Sequence, residues 1–194
     1  MPRIDLRVPF PEKEAARRLG ARWDPQQKLW YVPESLDVAS FSQWLPKPFQ
    51  PNIRARGYFL ATGTRSCWRC QALTRVFAIR LPAGYEALIV ADDPDDDRWQ
   101  EGAEPTILSY VADLAESVAA RLPGLAPRYR VEFSQTTQSF YWMNHCEHCE
   151  AKLGDFETIQ EFDSPFHNLD ADPGLVKLRD IAEPFAASCG SYTL

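Results

Sequence analysis

The chain has 194 residues, 45% of them hydrophobic, and a formal net charge of −6. That suits one or two domains with buried cores, and no stretch approaches the roughly 20 apolar residues needed to span a bilayer. The start, Met1-Pro2-Arg3-Ile4-Asp5-Leu6-Arg7, has no apolar signal-peptide core, so we expect a cytoplasmic protein with no membrane partner.

The first 46 residues read as a small β-α-β-α module. Ile4, Leu6 and Val8 alternate with polar residues, as on a half-buried strand. Pro11 opens a helix that runs to Leu19 and stops at Gly20. A turn at Ala21–Pro25 leads to a second strand, Leu29–Val32, and a second helix is expected over Ser35–Leu45. Trp23, Trp30 and Trp44 are the expected core of the module. Residues 47–52, rich in proline, read as a stiff linker.

The run Leu6-Arg7-Val8-Pro9-Phe10, then Glu12-Lys13-Glu14-Ala15, Leu19-Gly20-Ala21-Arg22-Trp23-Asp24 and Lys28-Leu29-Trp30-Tyr31-Val32-Pro33 resembles a short bacterial domain of unknown function. That domain is found attached to plasmid primases and other DNA-processing proteins of conjugative elements. The resemblance covers about residues 4–46. It implies DNA-related work on mobile elements and carries over no catalytic residue. The Gly-x-x-Trp…Trp pattern is also similar to the HARP modules of annealing helicases, which bind branched or single-stranded DNA.

A second domain is expected over residues 53–162, with strands at Tyr58–Thr62, Leu73–Leu81, Ala87–Val90, Arg128–Phe133 and Phe140–Asn144. Asp92–Asp97 is an acidic loop. Ile107, Leu108, Val111, Leu114, Ala115, Val118 and Leu122 recur at helical spacing, which predicts a helix over Pro105–Leu122. Residues 163–194 read as a polar tail with a short helix at Pro173–Ile181. The fold class expected is therefore α+β: a β-α-β-α module, then an α+β domain.

Four of the five cysteines form two C-x-x-C pairs, Cys67/Cys70 and Cys146/Cys149. Each pair lets two thiolates grip one tetrahedral ion from a single tight turn, and two such turns complete a shell of four thiolates. Soft thiolates in that arrangement favour zinc (Zn2+) as the cofactor. Each turn follows a predicted strand, and residues from Arg75 and from Asp155 to Ile159 can return, so a zinc ribbon embedded in the second domain is expected. Two disulfides, or a redox pair, are the alternatives. His148 lies inside the second turn and is expected to face away from the ion or to support a thiolate. Cys189 is left as a free thiol.

Charge is unevenly placed. Residues 38–85 hold Lys47, Arg54, Arg56, Arg65, Arg69, Arg75 and Arg80 and no acid, whereas residues 86–194 hold seven basic and twenty-one acidic side chains. A local basic run of this kind fits a nucleic-acid partner; the alternative is that the two parts neutralise each other. Aromatics beside cations hold unstacked bases, which singles out Trp68 and Tyr58 for stacking and Arg54, Arg56, Arg65, Arg69 and Arg75 for phosphates. With no phosphate loop, nucleophile elbow or H-E-x-x-H motif, no catalytic residue is assigned. The expected protein is a non-enzymatic zinc-binding factor for single-stranded or distorted DNA, or alternatively a protein-binding adaptor.

Overall fold

The computed structural model describes residues 3–27, 29–46, 48–167, 169 and 175–191. Lys47 and the first part of the helix expected at Pro173–Ile181 lie outside them. The chain divides into two units, residues 1–48 with 133–140, and residues 49–132 with 141–194.

In the first unit, β1 (Ile4–Leu6) is followed by a 3-10 turn at Phe10–Glu12 and helix α1 (Lys13–Arg18). Gly20, at φ +99, closes the helix with its N–H donating to the Arg17 carbonyl. The segment expected as a turn is a strand, β2 (Arg22–Asp24), paired antiparallel with β3 (Leu29–Val32). The Asp24 carboxylate accepts the N–H groups of Gln26 and Gln27 and folds the hairpin tightly. The sheet order is β1-β3-β2.

The expected second helix is a 3-10 helix, Val38–Trp44, capped by Asp37. Val38, Phe41 and Trp44 recur every third residue, which matches a 3-10 turn and places all three against Leu6, Val8, Ala16, Ala21 and Val32. Only Trp44 of the three tryptophans is buried. Trp30 is half-buried, and Trp23, on the outer strand, is 47% exposed. The module is thus not β-α-β-α.

In the second unit the strands are β4 (Ile53–Ala55), β5 (Tyr58–Ser66), β6 (Leu73–Leu81), β7 (Glu86–Ile89), β8 (Arg98–Glu101), β9 (Thr106–Ile107) and β10 (Ser109–Leu114). Helix α2 (Glu116–Leu125) follows, then β11 (Tyr129–Ser134), β12 (Ser139–His145), β13 (Lys152–Leu153), a π-helical turn at Phe156–Gln160, β14 (Lys177–Ile181) and β15 (Phe185–Ser191). The tip joining β11 and β12 is the part grouped with the first unit. The strands form a five-stranded sheet ordered β10-β15-β4-β7-β8, a four-stranded sheet β14-β5-β6-β9 and a three-stranded sheet β11-β12-β13. One apolar cluster gathers Ile53, Tyr58, Ile79, Leu108, Val111, Val118 and Phe185. A second gathers Val76, Ala78, Leu153, Ile159 and Phe166 around Cys67 and Cys146.

The helix expected over Pro105–Leu122 is overturned for most of its length. The chain leaves β6 after Leu108, whose N–H donates to the Ile79 carbonyl, turns at Tyr110 with φ +53, and enters the five-stranded sheet as β10. A bulge between Val111 and Asp113 shifts the pairing by a residue. Val111 and Leu114 therefore face the same core although they are three apart. Kink and bulge together reproduce the spacing of a helix on a strand. Residues 177–191, read as part of a polar tail, form β14 and β15, and the described end of the expected short helix is β14. The α+β class gives way to a mostly β architecture with four sheets among the described residues. No helix of these residues is long and apolar enough to cross a membrane.

Candidate metal centre

β5 ends at Ser66 and β12 at His145, so each C-x-x-C turn starts where a strand stops. The two turns are built alike. In the first, the Cys67 N–H donates to the Ala72 carbonyl and the Gln71 N–H to the Cys67 carbonyl, both at 2.9 Å. In the second, Cys146 donates to Ala151 at 2.9 Å and Glu150 to Cys146 at 3.1 Å. Gln71 and Glu150, each next after the second cysteine of its pair, both sit at φ 60. The amides of Arg69 and His148 each point at the first sulfur of their turn, 3.4 Å away.

The four sulfurs lie within 4.8 Å of one another. Cys67 Sγ is 3.7 Å from Cys149 Sγ, and Cys70 Sγ is 3.7 Å from Cys146 Sγ. A tetrahedron with metal–sulfur bonds of ~2.3 Å has edges of ~3.8 Å, so the shell fits one tetrahedral ion. Neither pair is a disulfide; all five cysteines are free thiols. Cys67 and Cys146 are buried, Cys149 is half-buried and Cys70 is at the surface.

As thiols, Cys146 and Cys70 are pushed in opposite directions. Against the effect of burial, Cys146 is drawn down to about 6 by the amides of His148 and Cys149 and by the Cys67 and Cys70 sulfurs. Cys70, against the pull of its Ala72 backbone contact, is pushed up to about 12 by burial and its three sulfur neighbours. A divalent cation held by Cys67, Cys70, Cys146 and Cys149 would take up the thiolates with release of protons.

Side chains join the two turns. The Trp68 indole N–H donates to the Lys152 carbonyl at 2.9 Å, and His148 Nε2 bonds the Leu73 carbonyl at 3.0 Å. Leu73 and Lys152 hold equivalent places, each just after the alanine of its turn. His148 therefore faces away from the sulfurs. The Glu147 N–H donates to Thr74 Oγ1 at 3.0 Å, and its carboxylate accepts the Arg75 amide at 3.1 Å and the Arg75 guanidinium at 2.5 and 2.8 Å. Asn144, fully buried, accepts the Phe77 N–H and donates to the Phe77 carbonyl, both at 2.8 Å. Sequence reasoning does not single out Thr74, Asn144 or Glu147. The available signal is a polar residue, Asn144, ending the apolar run Phe140–Met143 two residues before Cys146.

The expected nucleic-acid residues fare unequally. Arg54 pairs with Glu86 at 2.8 Å and stacks on Trp99 at 4.1 Å. Arg75 pairs with Glu147, and Arg65 lies 3.8 Å from Glu157. These three cations face carboxylates of the acidic half. Tyr58 is completely buried and donates its hydroxyl to Glu183 at 3.0 Å, so its ring fills the core and offers no stacking face. Arg56 and Arg69 are exposed, and Trp68 is 57% exposed.

Two proteins similar to this chain are DNA primases TraC from Escherichia coli. One is 44% identical over 54 residues, covering 28% of this chain and 5% of the primase. The other is 43% identical over 61 residues, covering 27% and 4%. The chain thus spans at most a twentieth of the length of these relatives. No solved structure matches it. Residues 3–46 match the family described as a domain of unknown function, DUF5710, and with its four-cysteine cluster the chain joins that domain to a zinc-ribbon-like centre.

Proposed function

We propose that this is a non-enzymatic zinc protein that binds single-stranded or distorted DNA as an accessory factor of bacterial DNA processing or mobile elements. The similarity to two DNA primases supports the setting. The observation that carries the reading is Trp68. A large aromatic side chain stands 57% exposed on the first cysteine turn, held by its indole N–H so that its ring position is fixed. Arg69, next to it, is exposed and has no ion pair among the described residues. A fixed aromatic face beside a cation is suited to stacking a base while the neighbouring phosphate is neutralised. Arg56 is a second exposed cation. Arg54, Arg65 and Arg75, engaged with carboxylates, would contribute less.

The test is titration of a labelled single-stranded oligonucleotide at several salt concentrations. Trp68→Ala should weaken binding by about 5- to 150-fold, since stacking on an aromatic is worth about 1–3 kcal/mol. Affinity should fall with salt, with a logarithmic slope of about −0.7 per phosphate neutralised. Absence of binding at low salt, or a flat salt dependence, would overturn the proposal. The neutralisation of three arginines by Glu86, Glu147 and Glu157 favours a second reading, a protein-binding adaptor. Partners that survive nuclease treatment in a pull-down would favour it.

A further inference from the structure

β6 has β5 on one side along its whole length, from Phe59↔Arg80 to Ser66↔Leu73. On its other side β9 pairs only with Arg80 and Leu81. The backbone groups of Leu73, Arg75 and Phe77 on that open edge need other partners, because buried amides and carbonyls without them are costly. Four of these groups find side chains of the second cysteine hairpin. His148 takes the Leu73 carbonyl, Glu147 takes the Arg75 N–H, and Asn144 takes both the N–H and the carbonyl of Phe77. The Asn144 amide makes the two bonds that a residue of a neighbouring strand would make. It is fully buried, sits two residues before Cys146, and bonds strand β6, which leads back to Cys70.

We infer that Asn144 is a positioning residue for the metal: standing in for a strand on the open edge of β6, it holds the second cysteine pair against the first before any ion binds. This inference rests on the four-cysteine metal centre. Its consequence is a shell that is preorganised, so the ion does not have to gather two separate hairpins. Residues that support metal ligands in this way commonly change affinity by about 10- to 100-fold when removed.

Asn52 provides an internal control. In the five-stranded sheet its side chain makes the same pair of bonds, to the Cys189 carbonyl at 2.8 Å and from the Cys189 N–H at 2.9 Å. Cys189 belongs to the apolar cluster that excludes the four clustered cysteines. Asn52→Leu should lower stability and leave metal affinity unchanged.

The experiment uses the full chain, reduced and metal-free, with Co2+ as the probe. Wild type should bind Co2+ with the intense visible bands of a tetrahedral thiolate site. Asn144→Leu should bind about 10- to 100-fold more weakly and release Co2+ faster to a chelator. Hydrogen exchange at the Phe77 amide should stay slow in the metal-free wild type. A wild type that binds no Co2+ overturns the metal centre itself. A wild type that binds it, while its metal-free Phe77 amide exchanges freely, overturns the role of Asn144. So does a folded Asn144→Leu chain of unchanged affinity, or an Asn52→Leu chain weakened equally. Should Asn144→Leu fail to fold, the Phe77 exchange rate decides alone.

Discussion

Asp155→Asn should flatten the pH dependence of stability. Asp155 is fully buried just before the π-helical turn. One carboxylate oxygen accepts the Tyr110 N–H at 2.6 Å, and the other has no hydrogen-bond partner among the described residues. Burial pushes this carboxyl up to about 7, with the Tyr110 amide pulling the other way. An unfolded aspartate titrates near 3.9, so the difference is about 3 pH units, or ~4 kcal/mol. The folded state holds the proton more tightly than the unfolded state. Stability is therefore greatest below about pH 4, declines by ~1.4 kcal/mol per unit as pH rises, and levels off above about pH 7.

The amide introduced by Asp155→Asn would keep the acceptor for Tyr110 and lose the titration. Its new N–H2 group, if left unpaired, costs about 1–3 kcal/mol at every pH. Urea unfolding of both chains at pH 5 and pH 8, with identical metal loading, isolates the effect, because metal-linked protons cancel between them. The gap between variant and wild type should move by about 3 kcal/mol in the variant's favour from pH 5 to pH 8. Curves that run parallel over that range would refute the assignment.

Elemental analysis of the reduced chain should find one divalent ion per molecule. Cys67→Ser or Cys149→Ser should weaken Co2+ binding, reduce the thiolate bands and lower the melting temperature, because the ion would link segments distant in sequence. Gln71→Gly should stabilise by about 1 kcal/mol, read from urea midpoints, since a non-glycine residue at φ 60 is strained and the side chain is exposed. Gly63→Ala should destabilise by about 1–3 kcal/mol in the same assay, because its Cβ would lie 2.8 Å from the Pro165 ring.

The four-cysteine cluster was legible because its signal is local. Two cysteines on one tight turn announce a ligand pair wherever they occur, and the shared Gln/Glu-Ala ending of both turns was there to be read as well. β6 was legible from its alternation, and the first part of β5 was read as a strand over Tyr58–Thr62. The β10 segment was not, because a kink and a bulge turned a strand's period of two into a spacing of three. β15 was missed for a different reason. Ala186, Ala187 and Gly190 are too small to signal burial, yet Ala187 is completely enclosed between β10 and β4. The fate of the basic run depended on partners far along the chain, such as Glu147, 72 residues from Arg75. Composition records that both charges exist; only the fold decides which of them meet.

The placement of β15 has a consequence for synthesis. It lies between β10 and β4 in the five-stranded sheet, so those two strands have no direct hydrogen bonds to each other. A nascent chain emerging from the ribosome cannot close this sheet until residues 185–191 are clear of the exit tunnel. Until then β4 and β10 each present a bare edge, the kind of surface that draws in stray strands and chaperones.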